Sequence, residues 1–170
     1  MPAKTQSIAT RVRPAEMCRQ ILTDRGGFRG FAIGMPLAEV ERLVEQKLEL
    51  QDFGEYSGAS TQRVLTALDD PWWSEAEDLD FRIQGRQLLE VRYSVHLNDE
   101  AFVKATVKEL KQELKRRHGA SYVDPDGTRG NACWTVAGGP PARLQMTSGK
   151  YPHNPDYHDH WTIDLTLSGK

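Results

Sequence analysis

The chain of 170 residues contains only two cysteines, Cys18 and Cys133. Two thiols supply neither a disulfide framework nor a cysteine-based metal cluster. A single disulfide stays open for an exported protein. Free cysteine is among the most buried residue types, however, so we expect two separate buried thiols.

Long apolar stretches are also missing. No run approaches the roughly 20 apolar residues of a membrane-spanning helix or the apolar core of a signal peptide. The sequence therefore predicts a soluble protein of the cytoplasm, or of the periplasm if a signal peptide has been removed, with no membrane partner.

The motifs of nucleotide binding and nucleophilic catalysis do not occur. GxGxxG or GxxxxGK[ST] would indicate a phosphate-binding loop, and GxSxG would indicate a catalytic serine on a sharp turn. None of the three is found in the sequence. The sequence thus predicts no cofactor and disfavours an enzyme.

Charge is unevenly distributed, although the formal net charge is only −2. Residues 51–100 hold 4 Lys and Arg against 11 Asp and Glu, whereas residues 1–50 hold 8 against 6 and residues 101–170 hold 10 against 7. The chain as a whole lacks the strongly basic footprint of a nucleic-acid-binding protein, so a nucleic acid is the less favoured partner.

The residues around Gly34 predict the change from a strand to a helix. Phe31 and Ile33 lie two apart, as on one face of a strand, and apolar residues then recur at helical spacing as far as Leu48. Gly34 tolerates backbone angles that strain other residues, and Pro36 suits a first helical turn. We therefore predict a short strand followed by a helix within residues 30–48.

Period-two alternation gives the clearest prediction of secondary structure. Apolar side chains alternate with polar ones on both sides of Gly85, which predicts a β-hairpin with one buried and one wet face. The buried face is predicted to hold Leu79, Phe81, Ile83, Leu89, Val91, Tyr93, Val95 and Leu97.

The remaining pattern predicts a single α+β domain at residues 14–170, after a flexible arm at residues 1–13. Further strands are predicted at residues 61–68, 132–137, 142–147 and 161–167. One helix is predicted to begin at Pro14, and another, capped by Asn98 or Asp99, is predicted to end at His118. Hairpins with interspersed helices indicate an antiparallel sheet of about five to six strands with helices packed on one face.

The segment Gly34-Met35-Pro36-Leu37-Ala38-Glu39-Val40 resembles a helix-opening signature, Gly-Met-(Ser/Thr)-x-x-Glu-Val. That signature is found in β-lactamase inhibitory protein and in the small outer-membrane assembly lipoproteins. Pro36 stands here in place of the Ser or Thr. The resemblance implies a helical pair packed on a small antiparallel sheet, whose exposed face or loops bind another protein.

An acidic segment with two adjacent tryptophans is the first candidate site. Tryptophan is enriched at binding hot spots, and a surrounding ring of carboxylates favours a basic partner protein. The alternative is one tryptophan in the core and carboxylates that are merely solvated. The predicted partner-binding residues are Asp69, Asp70, Trp72, Trp73, Glu75, Glu77 and Asp78.

A histidine-rich segment before the last predicted strand is the second candidate. Histidine and carboxylate side chains are the ligands that a zinc-like ion prefers, although the spacing of HExxH or CxxC is absent. A polar loop without a metal is the alternative. The candidate metal ligands are His153, Asp156, His158 and His160.

The sequence favours a non-enzymatic protein-binding module of the immunity, inhibitor or secretion-chaperone type. Such a module would engage a basic partner through the acidic tryptophan segment and the adjoining face of the sheet. A metal-dependent enzyme that uses the histidine-rich segment is the second hypothesis. A structural component of a larger particle is the third, and the sequence leaves the oligomeric state open.

Overall fold

The computed structural model describes residues 8–24, 30–53, 56–66, 75–123, 132–136, 142–150 and 160–169. Four α-helices occur in these ranges: α1 (Ile8–Arg11), α2 (Pro14–Arg19), α3 (Leu37–Val44) and α4 (Glu100–His118). α2 continues into a π-helical turn at Gln20–Asp24. No helix in this part of the chain is both long enough and apolar enough to cross a membrane.

Seven antiparallel strands form a single sheet in the order β1-β2-β3-β4-β7-β6-β5. Their bounds are β1 (Gln51–Phe53), β2 (Tyr56–Thr66), β3 (Glu75–Gln84), β4 (Gln87–Leu97), β5 (Ala132–Val136), β6 (Ala142–Lys150) and β7 (Trp161–Gly169). The predicted α+β class is confirmed, but the predicted count of five to six strands is too low. β1 and the first half of β2 were not predicted as strands, because their sequence has no apolar alternation.

The β3–β4 hairpin confirms the strongest prediction with one change. Gly85 and Arg86 both have positive φ, 57° and 61°, which is the two-residue type I′ turn that matches the twist of the flanking strands. Ile83 pairs with Leu88 whereas Arg82 pairs with Glu90, so Leu89 is an extra residue in a β-bulge. Leu88 is therefore the buried residue, and the prediction for Leu89 is wrong.

Two apolar clusters join the helices to one face of the sheet. In the first, α1, α2 and α4 cover the sheet from β4 to β5, and in the second α3 covers β3 and β4. The first cluster includes the buried side chains Ile8, Met17, Ile21, Tyr93, Leu110, Leu114, Trp134, Met146 and Leu165. The second includes Phe31, Leu37, Val40, Phe81, Ile83, Leu88, Val91 and Leu167.

The segment before α3 differs from its prediction. Gly34 has the expected positive φ of 87°, but Phe31 and Ile33 form no strand. The chain instead meets the β-hairpin through hydrogen bonds near its turn, including one from Gly34 N to Leu88 O at 2.7 Å. α3 then ends at Val44, because Glu45 adopts the left-handed conformation, so Leu48 lies beyond the helix.

Of the predicted arm at residues 1–13, residues 1–7 lie outside the described residues. Residues 8–11 form α1, and the side chain of Ile8 is buried in the first apolar cluster. Both cysteines are buried and free. Burial, reinforced by Glu113 and Glu109, raises the pKa of the Cys18 thiol to about 11, so this thiol is unreactive near neutral pH.

The N-terminus of α4 provides a prediction about stability. Asp99 accepts a hydrogen bond from Phe102 N at 2.8 Å, which identifies Asp99 rather than Asn98 as the cap. Asp99→Ala should lower the free energy of unfolding by about 1 kcal/mol, because a helical N–H loses its acceptor. Urea unfolding of Asp99→Ala beside Asn98→Ala measures this. Equal losses in the two variants would contradict the assignment of the cap.

Candidate functional site

The sheet has one face covered by helices and an opposite face, here called the outer face, that no described helix covers. Because β-strand side chains alternate, the outer face is occupied by the polar residues predicted for the wet side of the hairpin. Strand register aligns them in rows across β3, β4 and β7. These rows are Ala76, His96 and Thr162; Asp78, Ser94 and Asp164; Asp80, Arg92 and Thr166; and Arg82, Glu90 and Ser168.

Carboxylates gather at one end of the outer face. Asp78 and Asp164 lie on either side of Ser94 in one row, and Asp80 occupies the next row on β3. We call Asp78, Asp80 and Asp164 the carboxylate cluster. Arg92 is directly opposite Asp80 in the register, so one arginine faces three acidic side chains in these two rows.

Hydrogen bonds fix the position of two of the three carboxylates. Ser94 Oγ donates to Asp164 Oδ1, and Thr162 Oγ1 lies 3.4 Å from Asp164 Oδ2. His96 Nε2 lies 3.3 Å from Asp78 Oδ2. These contacts hold Asp78 and Asp164 in place, and within the described part of the chain neither carboxylate forms a salt bridge with lysine or arginine.

Asp80 is affected by the crowding. Partial burial raises its pKa, Asp78 and Asp164 raise it further, and Arg92 lowers it. Desolvation disfavours the charged carboxylate most, and the two neighbouring carboxylates add to this, so the protonated form gains relative population. A positively charged group placed over the cluster would reverse this effect.

His160, the one candidate metal ligand within the described residues, lies beside the cluster. Its ring stands 5.3 Å from that of His96 in an edge-on arrangement. His153, Asp156 and His158 fall outside the residues that the structure describes. Within the described ranges, no group of three or more His, Cys, Asp and Glu side chains is arranged to hold a metal ion.

Both segments singled out in the sequence leave the sheet at this end. Thr66 pairs with Glu75 where β2 leads to residues 67–74, and Lys150 pairs with Trp161 where β6 is followed by residues 151–159. Ala76, His96 and Thr162 form the last outer-face row between them. Asp69, Asp70, Trp72 and Trp73 themselves lie outside the described residues.

Glu75 and Glu77 are not part of an exposed loop, which corrects the boundary predicted for the acidic segment. β3 already begins at Glu75, and both side chains are buried on the helix-covered side of the sheet. Glu75 accepts from Ile8 N at 3.1 Å, and Glu77 accepts from the Tyr93 hydroxyl at 2.7 Å. Of the predicted partner-binding residues that are described, Asp78 alone faces outward.

A cleft of about 940 Å³ extends from the outer face toward the β1 edge of the sheet. Residues 46–51, which follow α3, line it together with parts of β2, β3 and β4. Its charged lining residues are mixed in sign and comprise Lys47, Glu49, Asp80, Arg82, Glu90 and Arg92.

The alternation of the hairpin indicated in advance that Arg92, Ser94 and His96 lie on the face opposite the apolar one, but it did not place Asp164 beside them, and Ser94 is itself buried. The contact between Ser94 and Asp164 joins residues 70 positions apart and depends on the β4–β7 register.

Comparison of the chain with protein-family models, with curated proteins and with solved structures finds no match.

Proposed function

We propose that this protein is a non-enzymatic protein-binding module that engages a basic partner through the outer face of its sheet. The carboxylate cluster forms the centre of the contact, and the further residues that we expect to contribute are Asp69, Asp70, Trp72 and Trp73, which lie outside the described residues. An immunity protein, an inhibitor or a secretion chaperone is the functional type that fits such a module. The helix-opening segment at Gly34-Met35 adds support, because the proteins it resembles bind other proteins.

The observation that carries this proposal is the excess of carboxylates over arginine and lysine in the cluster. Asp78 is held by His96, and Asp164 by Ser94 and Thr162, so that neither carboxylate pairs with a lysine or arginine of the described residues. After desolvation by burial, which is the largest cause, Asp78 and Asp164 add to the raised pKa of Asp80, as repulsion between neighbouring carboxylates requires. Lysine or arginine side chains of a partner would relieve the repulsion, and complementary charge of this kind also speeds association.

The two free, buried thiols bear on the compartment. Disulfides form and persist in oxidising compartments and are rare in the cytosol. Cys18 and Cys133 are unpaired in the structure. We therefore favour the cytoplasm as the place where this module acts.

Charge substitutions in the cluster test the proposal. Products of neighbouring genes with basic surfaces are the partners to assay, by calorimetry with the purified full chain. Asp78→Asn and Asp80→Asn should each weaken binding by about tenfold, which corresponds to about 1.4 kcal/mol, and Asp80→Lys should weaken it further. At least one of the two variants Trp72→Ala and Trp73→Ala should weaken binding by about 30-fold, as expected for a tryptophan at a binding hot spot.

The controls separate binding from folding. Glu100→Gln removes one exposed carboxylate from α4, on the helix-covered side, and should leave affinity unchanged. Asp80→Asn should be at least as stable as the wild type, because it removes a crowded charge. Affinity that is the same in the wild type and in all the cluster and tryptophan variants would refute the proposed face.

A further inference from the structure

A single helical turn, α1, contacts a buried carboxyl group at the start of β3. Ile8 N lies 3.1 Å from one carboxyl oxygen of Glu75 and 3.3 Å from the other. Within the described part of the chain, this N–H is the only hydrogen-bond donor to Glu75. Both residues are buried. α1 therefore supplies the main polar contact of a group that has no access to water.

Little else holds α1 in place. It comprises only residues Ile8–Arg11, and one turn of helix is unstable by itself, because nucleation costs more than its first hydrogen bond returns. Among the described side chains of α1, only that of Ile8 is fully buried, while Ala9 and the following Val12 are partly buried against the first apolar cluster. Segments with so few contacts open locally while the rest of a domain stays folded.

The surroundings of Glu75 keep its carboxyl group protonated up to near neutral pH. Burial is the largest influence and raises its pKa to about 7 from the ordinary 4.5. The hydrogen bond from α1 and the charge of Arg11 lower the pKa, and Asp99 at the start of α4 raises it. Glu77, the next side chain on the same side of β3, is bound to the Tyr93 hydroxyl of β4.

We propose that α1 is a pH-sensitive strap, which is docked on the sheet while Glu75 is protonated and undocks when Glu75 ionises. In the docked form an ionised Glu75 would be a desolvated charge, whereas in the undocked form water can reach it. The undocked form thus differs from the docked one by an exposed carboxylate and an exposed Ile8. The strap would act whether or not the outer face binds a basic partner.

The direction of the switch follows from the protonation of the two forms. Below pH 4.5, Glu75 is protonated in both forms, and docking is at its strongest. Between pH 4.5 and about 7 the undocked form releases its proton while the docked form retains it, so the ratio of undocked to docked protein rises with pH. The two pKa values differ by about 2.5, which corresponds to a rise of about 300-fold.

Amide exchange of the full chain, measured by NMR, tests the strap. Val12 N donates to Ile8 O at 2.9 Å, so the Val12 amide reports undocking, whereas the amide of Leu110, in the middle of α4, reports unfolding of the domain. The Val12 amide should exchange faster than that of Leu110 and respond little to low urea concentrations, because undocking exposes little surface. After correction for intrinsic exchange, the opening constant at Val12 should rise about 300-fold between pH 4.5 and about 7.5.

Two substitutions act on the strap in different ways. Glu75→Gln removes the titrating group and keeps an acceptor for Ile8 N, so the opening constant at Val12 should be the same at both pH values. Ile8→Val trims the apolar anchor and keeps the carboxyl group. It should raise the opening constant about fivefold at both pH values and leave the dependence on pH unchanged.

Three results would overturn the proposal. In the first, the Val12 amide exchanges only together with that of Leu110 and with the same urea dependence, so that α1 does not open separately. In the second, the pH dependence at Val12 persists in Glu75→Gln. The third needs no variant that must fold: NMR of the carboxyl carbon in the wild type would show Glu75 titrating near pH 4.5 rather than near pH 7.

Discussion

The free energy of unfolding of the wild-type protein should fall by about 3 kcal/mol as the pH rises from about 4.5 to about 7, and this fall should be absent in the Glu75→Gln variant. Burial raises the pKa of Glu75 to about 7 from its ordinary 4.5, and Asp99 raises it further, while the hydrogen bond from Ile8 N and the charge of Arg11 oppose the shift. Each pKa unit corresponds to about 1.4 kcal/mol, which gives the size of the loss.

The sign of this effect follows from the direction of the shift. Below pH 4.5, Glu75 is protonated in both the folded and the unfolded chain, and its full contribution to stability is present. Between pH 4.5 and 7 the unfolded chain releases the proton while the folded protein retains it, so stability falls with rising pH. Glutamine does not titrate, and its carbonyl can still accept from Ile8 N.

Urea unfolding of the wild type and Glu75→Gln between pH 4.5 and 8 measures the effect. The difference in free energy of unfolding between the two proteins should change by about 3 kcal/mol across this range, whatever its absolute value. Glu49→Gln, at an exposed site, controls for loss of a charge. A difference that is constant with pH would show that Glu75 is already ionised at the acid end of the range.

The pH range of the stability change distinguishes Glu75 from Glu113, a second carboxylate with a shifted pKa. Arg116 and Arg117 donate to Glu113 and hold its pKa down at about 2. Stability from a depressed pKa is present above pH 4.5 and is lost as the pH falls toward 2, the opposite direction and a separate range. A stability change between pH 4.5 and 7 is therefore not attributable to Glu113.

The sequence predicted those elements whose local pattern and final environment agree. The β4 alternation of Val91, Tyr93 and Val95 was readable because one side of that strand is buried and the other is wet. α4 was readable because an acidic cap precedes an apolar stripe at helical spacing. In both cases, burial depends on periodicity within one segment.

Features that depend on distant residues were not predictable. Glu75 and Glu77 look like solvated acids in the sequence, and their burial depends on Ile8, 67 positions from Glu75, and on Tyr93, 16 positions from Glu77. The carboxylate cluster requires the register between β4 and β7, which no local pattern encodes. The β-bulge at Leu89 was not predictable either. It makes Leu88 rather than Leu89 the buried residue, and the apolar pattern could not distinguish between two neighbouring leucines.

Trp134→Ala should lower the free energy of unfolding by about 3 to 5 kcal/mol, because Trp134 is one of the largest fully buried side chains. It lies on β5 at the end of the sheet and fills the first apolar cluster together with α2 and α4. Truncation would remove its apolar contacts and leave a cavity. The cavity would not readily close, because pairing with β6 holds the backbone of β5 in place.

Trp134→Phe is the matched variant, and it should stay within about 1 kcal/mol of the wild type. The indole Nε1 is buried and has no hydrogen-bond partner among the described residues, and an unsatisfied donor of this kind costs about 1 to 3 kcal/mol. Phenylalanine removes that donor, which offsets part of its loss of volume. Urea unfolding followed by circular dichroism compares the two variants. An equal, large loss in both would mean that Nε1 donates to an acceptor whose loss matters as much as the cavity does.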